Sequence, residues 1–525
     1  MNANGTLTIV VFACLVLGMF FIIARAARRT SSTSDFLAAG RSISAAQNGL
    51  AIAGDFMSAG TFLGTTGLIY LYGFDGTLIL VAAIFGFLPL LLIAERLRNA
   101  GAFTLSEVLS VRFNDPLLRG VTALTSLVVS LLYLVAQLVG AGILLQALTG
   151  FPYAVAVVIT GVLMTIYVAF GGMLGASWVM IVKAIILLIV GFVMSVTILA
   201  ASGWHLGTLM MDAAATHPGS PAFLKPGLLL PSSHPFDILS FGLVYMLGTA
   251  GLPHVLIRFF TVRDGNAARR SLGWAVTVMG IFFLMIVVLG LGARALLHGG
   301  DAAAAASVGG NLVAPILAGV LAGGDASVGG ALAMAFISGV CFLTILAVVS
   351  GLLISASGTV AHDLFAGIIW RHLPDIERRE RSMARVSSVA VGIVATLFSI
   401  AVGTGFNITF LLGLAFLVAA SANLPALVCT LFWKRFSRTG AIVGLAGGLV
   451  VSVAVIVLSP TVMGKAALIP LKYPAIVSIP LGFALCWLGT MLGRDARAPE
   501  QFSKLLMHTE ISVERDNVRT AHLAH

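Results

Sequence analysis

Long apolar stretches alternate with short polar ones along nearly all of a 525-residue chain. A helix needs about 20 apolar residues to cross a bilayer, and thirteen stretches reach that length: 6–24, 44–70, 76–94, 120–147, 152–170, 177–200, 237–257, 272–297, 330–358, 383–402, 407–431, 440–459 and 473–491. A membrane β-barrel would show weaker, alternating segments of about ten residues. Continuous runs predict an all-α polytopic membrane protein. Arg25, Arg28 and Arg29 follow the first run rather than precede it. That order is the reverse of a cleaved signal peptide, so the first run reads as a retained span with its N-terminus outside, and thirteen spans leave the C-terminus in the cytoplasm. Basic residues test this orientation independently, because they favour the inner face. Of the 30 Lys and Arg residues, all fall in segments so placed inside except Lys183, Lys225, Arg294, Lys465 and Lys472. The reading is a multi-pass protein of the cytoplasmic (inner) membrane, in contact with membrane lipid.

Composition narrows the class. Apolar residues make up 59% of the chain and charged residues 10%, with a mean hydropathy of +1.07. Soluble domains carry about 25% charged residues, so a soluble enzyme, a disordered chain and a disulfide-rich secreted module are excluded. The net charge of +10 sits between apolar runs and does not point to nucleic acid. Cys14, Cys341, Cys429 and Cys486 all lie in apolar runs and form no disulfide or metal framework. No phosphate-cradling GxxxxGK[ST] loop is present, which argues against ATP-driven work. No acid–base constellation suggests an enzyme, and no cofactor is expected beyond a coupling ion. The predicted organisation is an extra span and loop (1–43), a first repeat (44–200), an outer loop (201–236), a second repeat (237–431), two further spans (432–493) and a cytoplasmic tail (494–525).

Polar chemistry inside the runs is sparse. Asp55 is the acid well inside a span, flanked by Ala53-Gly54 and Phe56-Met57-Ser58-Ala59-Gly60-Thr61. A carboxylate there costs about 2.5–3.5 kcal/mol on insertion scales, so it usually faces a cavity or a partner; the bland alternative is an acid that caps a kink. Small residues on both sides favour an interrupted helix, whose exposed carbonyls hold cations and whose new N-terminus holds anions. A second interruption falls at Gly248-Thr249-Ala250-Gly251-Leu252-Pro253-His254, where Pro253 removes a helical hydrogen bond; alone it reads equally well as an ordinary kink. The spacing says more. Spans 2–6 and 7–11 form two sets of five, each opening on an interrupted helix. Odd-numbered repeats insert with opposite topology, and matched interruptions in inverted halves point to the binding site of a secondary transporter. Lys183 is a membrane-depth cation that needs a counter-charge or must shed its proton, unless it snorkels to the inner face; Asp55 is the available acid. Tyr133 and Gln137, one turn apart, read as packing or as pocket lining. His254 reads as a pocket donor or as structural, and Ser350 as a helix hydroxyl bonded to its own backbone.

These residues resemble the sodium/solute symporter family, and within it the cation–acetate symporter (acetate permease) branch. The matching stretches are Gly49 to Ala59, Ile93-Ala94-Glu95-Arg96-Leu97-Arg98, Tyr167 with Phe170-Gly171-Gly172-Met173-Leu174, Gly248 to His254 continuing in Arg258-Phe259-Phe260-Thr261-Val262, Thr344 to Val349, His362-Asp363-Leu364 and Gly413-Leu414-Ala415-Phe416. The resemblance implies an inverted five-plus-five repeat core of the LeuT type and Na+-coupled uptake. It implies a cation site formed by the carbonyls of Gly54 (or Ala53), Met57 and Ala347 and the hydroxyl of Ser350, an all-oxygen set that suits a hard cation. Two positions depart from the family pattern: Gly351 stands where a second hydroxyl is common, and Val179-Met180 then Lys183 where Thr-Asp then Gln are common. Lys183, or Asp55, is therefore an alternative carrier of coupling through a proton. The expected function is a secondary active symporter importing acetate or a related short monocarboxylate with Na+ or H+. Its carboxylate would sit near Ser58, Thr249 and Gly251, with Tyr133, Gln137, Tyr245 and His254 shaping the pocket. The alternative is an uncoupled channel, or a carrier for another small solute such as pyruvate, proline or urea.

Overall fold

In a computed structural model of the chain, the described residues are 42–100, 104–230, 235–324, 327–369, 376–493, 495 and 497–510, with isolated positions before residue 42. The expected first span, 6–24, and the end of the tail lie outside this continuous set. Among the described residues every regular element is helical.

The helix α1 (Ala45–Phe56) begins on a reciprocal cap: Ser44 Oγ accepts from the Gln47 N–H, and Gln47 Oε1 accepts from the Ser44 N–H, satisfying two otherwise orphaned donors. It stops at Met57, whose φ of −74° and ψ of 60° leave the helical region. Ser58 is also non-helical, and a six-residue π-helix, Gly60–Thr65, then leads into α2 (Thr66–Tyr72). The predicted span 44–70 is thus two half-helices. Beyond it come α3 (Phe74–Phe85), α4 (Phe87–Ala100) and α5 (Leu105–Phe113). Asp115 caps α6 (Pro116–Thr149), accepting from the Leu118 N–H at 2.8 Å with Pro116 at the first helical position, where its missing N–H costs nothing.

One boundary differs from the sequence reading. The runs 152–170 and 177–200 belong to one continuous helix, α7 (Tyr153–Ala201). The Gly171-Gly172 pair removes side chains but no backbone donor, so it does not end a helix as a proline does. After α8 (Leu206–Thr216), the second interrupted element runs as α9 (Pro235–Gly248), a 3-10 turn Thr249–Gly251, and α10 (Pro253–Leu256) with the 3-10 turn Ile257–Thr261. Its two halves bend by 47° about Leu252.

The remaining elements are α11 (Gly265–Leu296), α12 (Gly299–Ala306), α13 (Val313–Leu321), α14 (Val328–Gly358), α15 (Ile376–Val402), α16 (Ile408–Val418), α17 (Leu424–Phe432), α18 (Arg438–Val457), α19 (Pro460–Met463), α20 (Ala475–Gly493) and α21 (Ala498–Glu510). A π-helix, Thr359–Ile369, extends α14, and another, Ala419–Asn423, joins α16 to α17. Among the described residues nine helices are long and apolar enough to cross a membrane, ten with the bent pair.

Burial divides these helices into layers. From Ile337 to Gly358 every residue of α14 is buried, and α6 is buried over most of its second half. They form the centre, against which the two interrupted elements pack. On outer helices such as α7, α11, α15 and α18, exposed Phe192, Leu284, Leu397 and Val450 face outward, a surface that is stable in lipid and not in water. At one end Arg112 donates to the carbonyls of Thr430, Trp433, Lys434 and Phe436 at 2.7–3.0 Å, filling the unpaired acceptors beyond α17. Burial pulls its pKa down to about 10, which leaves it charged.

Candidate functional site

Both interruptions are held open by neighbours rather than by their own sequence alone. The first is braced by α16. Asn407 Nδ2 donates to the Gly64 carbonyl at 2.9 Å and to the Gly309 carbonyl at 2.8 Å, and Thr409 Oγ1 donates to the Gly60 carbonyl. The second is pressed backbone to backbone on the π-helix that follows α16. A Cβ on Gly251 would lie 2.2 Å from the Ala419 carbonyl oxygen, so no other residue fits without displacing the chain. Asn423 Nδ2 donates to the Gly251 carbonyl at 2.9 Å.

Asp55 ends the first half-helix, and its partner is Arg258, from the turn after the second. Arg258 Nε donates to Asp55 Oδ2 at 2.8 Å and Nη2 to Oδ1 at 3.3 Å, a two-pronged contact that suits guanidinium and carboxylate. Arg258 Nη1 donates to Ser177 Oγ at 3.0 Å, tying α7 into the cluster. This corrects two expectations. Arg258 is not a charge at the inner surface, since it is 1% exposed. Lys183 is not the direct mate of Asp55, since its Nζ lies 3.4 Å from the Thr344 carbonyl. The bend at Leu252 and Pro253 is the cause, because it turns the following residues inward. Arg258 and Ser177 are the residues of this cluster that the sequence reading does not place there. The readable signal was an arginine five residues past a proline break, within an apolar run.

Asp55 also faces α14. A Cβ on Gly351 would lie 3.9 Å from Asp55 Oδ1 and 3.4 Å from Arg258 Nη2. The structure therefore places Gly351 of α14 beside Asp55 and Arg258. Within the expected cation set, Ser350 Oγ donates to the Ala347 carbonyl at 2.6 Å, while Met57 N–H donates to the Ala53 carbonyl at 2.8 Å.

Beside this cluster lies an aromatic wall. Tyr133 meets His254 edge-on at 4.7 Å between ring centres and Phe416 at 6.2 Å, and Tyr245 lies 5.2 Å from Phe416. Tyr133 also reaches the Ser58 hydroxyl. Tyr245 donates to the Thr409 carbonyl at 2.8 Å and Thr249 Oγ1 to the Tyr245 carbonyl at 2.7 Å, so the Thr249 hydroxyl is spent on its own helix. Gln137 and His254 differ from these: both amide atoms of Gln137, and Nδ1 of His254, are buried with no hydrogen-bond partner among the described residues. Buried polar groups in folded proteins are nearly always paired. Their convergence beside Tyr133 marks a place where a polar ligand would be stabilised. Asp55, Ser58, Tyr133, Gln137, Lys183, Tyr245, Thr249, His254 and Arg258 are all 3% exposed or less, so the site is closed to both faces.

A separate cavity of about 270 Å³ lies between α2, the start of α16 and Lys472, lined also by Tyr72, Phe406, Asn407 and Thr461. Lys472 Nζ donates to the Leu229 carbonyl at 2.7 Å. Burial draws its pKa downward, opposed by Asp237 and Asp75.

Comparison with known proteins gives one family. The sodium:solute symporter family matches residues 36–448. A Bacillus subtilis (strain 168) protein described as the uncharacterized symporter YwcA is 44% identical over 514 residues, which is 95% of this chain and 98% of that protein. Among solved structures, a Na+-coupled sialic acid symporter in a substrate-bound outward-open state superposes with a TM-score of 0.73 at 16% identity, over 92% of this chain and 98% of that one. Mhp1, a nucleobase-cation-symport-1 family transporter in a closed conformation, gives 0.53 at 16% identity, over 90% and 100%. These two have the LeuT fold, and the likeness extends to the fold alone.

Proposed function

This chain belongs to the sodium:solute symporter family, is a polytopic membrane transporter and not an enzyme, and from that premise we propose that it imports acetate or a related short monocarboxylate together with a cation. The family implies a solute and a coupling cation; the carboxylate, and Na+ ahead of H+, are our reading. We place the cation at the carbonyls of Gly54, Met57 and Ala347 with Ser350, and the substrate carboxylate beside Ser58, Gln137 and His254. Tyr133 and Tyr245 set the pocket's size, and Thr249 and Gly251 form its floor.

The observation that carries the reading is Gln137. Its amide is fully buried, one turn from Tyr133, with neither oxygen nor nitrogen paired among the described residues. A carboxylate accepts from an amide N–H, and the rings of Tyr133, Phe416 and Tyr245 stand in one wall on that side. The family resemblance toward the acetate branch supports the same class. The inverted five-plus-five repeat, thirteen spans with 6–24 as the first, and an N-out, C-in orientation in the cytoplasmic membrane complete the proposal. The two interrupted elements and the distribution of Lys and Arg support them.

The test is radiolabelled acetate uptake into proteoliposomes, with a Na+ gradient and a proton gradient imposed separately. The expected result is saturable uptake driven by one of them and stimulated by acetate on the far side. Non-saturable flux indifferent to both gradients would establish an uncoupled pore instead.

A further inference from the structure

The Asp55–Arg258 pair is built from groups that the proposed cation set does not include, yet it adjoins that set. Asp55 lies between Gly54 and Met57 in sequence, and Gly351 follows Ser350. A Cβ on Gly351 would stand 3.4 Å from Arg258 Nη2 and 3.9 Å from Asp55 Oδ1, so α14 lies in ordinary contact range of both groups. A third anchor, Ser177 Oγ, holds the far side of the guanidinium at 3.0 Å. The charge of Arg258 is thus held by Asp55 of α1 and Ser177 of α7, at 1% exposure. An acid so enclosed requires a cation, and here the chain provides its own.

We infer that Arg258 is the resident counter-cation of the transport site, which Asp55 leaves for the coupling cation when the carrier opens. The inference rests on the symport reading and deepens it. In the structure the Asp55–Arg258 contact joins the end of the first half-helix to the turn after the second. A cation arriving at the Gly54–Met57 carbonyls competes with Arg258 for the same carboxylate and loosens that joint. Coupling then has a physical form, exchange of one cation for another at Asp55. Lys183, His254 and Tyr133 also face Asp55 electrostatically. Arg258 acts through Asp55 and is therefore a positioning residue.

The sign of the effect separates this role from a structural one. An adjacent cation opposes the binding of a second cation or a proton to a carboxylate, by about 1–3 pH units in the protonation case. Arg258→Gln is expected to lower the half-saturating Na+ concentration for acetate uptake by about tenfold or more. Where a proton gradient drives uptake, the pH of half-maximal uptake rises by about one unit. Arg258→Lys, which keeps the charge, is expected to fall between the two. If Arg258→Gln does not fold, Gly351→Val serves the same end, since its branches must push the guanidinium off Asp55. Purified unaltered and variant protein in proteoliposomes, with [14C]acetate and stepped Na+ or pH, gives the readout. A half-saturating concentration that rises, or stays as in the unaltered protein, in both Arg258→Gln and Gly351→Val overturns the inference while leaving symport standing. Cation-independent uptake by the unaltered protein overturns the symport reading and this inference with it.

Discussion

Replacing Gln137 by Met is expected to make the empty protein more stable and the loaded one less so. Gln137 sits at zero exposure on α6, with its amide nitrogen and oxygen both without a partner among the described residues. A buried polar group left unpaired costs about 1–3 kcal/mol. Methionine has nearly the same length and volume and no polar atom, so it removes the penalty with little repacking. The substrate-free protein should therefore gain up to about 1–3 kcal/mol and melt at a higher temperature. A carboxylate that pairs with the amide loses that pairing in the variant, so acetate should bind roughly 5- to 150-fold more weakly, by the same energy. The assay is thermal unfolding of purified protein in detergent with and without acetate, beside the half-saturating acetate concentration for uptake. In the unaltered protein, acetate at 100 times its dissociation constant adds about 2.7 kcal/mol, and in the variant that increment should shrink. A variant that melts lower than the parent and takes up acetate with unchanged affinity would show that Gln137 is packing and nothing more.

Asp55→Asn strips the partner from a guanidinium that is 1% exposed and held at 2.8 Å; breaking such a pair costs about 3–5 kcal/mol. Stability is expected to recover in Asp55→Asn/Arg258→Gln while cation-driven uptake does not, as melting and uptake on the same preparations will report. Asn407→Leu orphans the Gly64 carbonyl, which it reaches at 2.9 Å, at a cost of about 1–3 kcal/mol; melting and limited proteolysis should both register it. His217 accepts from the Gly219 N–H at 2.9 Å through Nδ1 and lies 3.1 Å from the Leu71 carbonyl through Nε2, which fits the neutral ring, and burial lowers its pKa. A histidine held neutral contributes stability above its ordinary pKa of about 6.5 that is lost as pH falls through the window below. Hydrogen exchange in residues 205–230 should rise on going from pH 7.5 to pH 5, and His217→Gln should flatten that response.

The parts of the fold legible from sequence were those that a bilayer enforces. Long apolar runs and the two interruptions both follow from the cost of unpaired backbone and charge in hydrocarbon, whereas the number of separate helices did not follow, since 152–170 and 177–200 are one helix. Asp55, Tyr133, Gln137 and His254 were legible as exceptions within those runs, and the structure brings them to one cluster. The join at Gly171-Gly172 was not, because glycine marks a turn or a close approach with the same letter. Arg258 was counted with surface charges because its depth depends on a 47° bend, which a sequence window does not see. Ser177 was invisible because a single serine in a helix almost always bonds its own backbone. What brings it into the cluster is a guanidinium arriving from 81 residues away along the chain.

The two interruptions do different physical work, and that difference is the basis of the proposed coupling. The first carries the acid and ends in residues whose carbonyls suit a cation. The second carries glycines pressed on α16's extension and swings Arg258 onto that acid. The pair is satisfied in the structure, while both amide atoms of Gln137 and Nδ1 of His254 have no partner among the described residues. Each unpaired group costs about 1–3 kcal/mol, and coupling between two ligands typically amounts to about 1–3 kcal/mol. The unsatisfied groups are thus of the right size to supply it. A substrate that pairs them stabilises the half-helices in place, and a cation that takes Asp55 from Arg258 releases the joint between those half-helices. On the proposed coupling each step needs the other, so transport is expected at the site where the buried groups of Gln137 and His254 lack partners among the described residues.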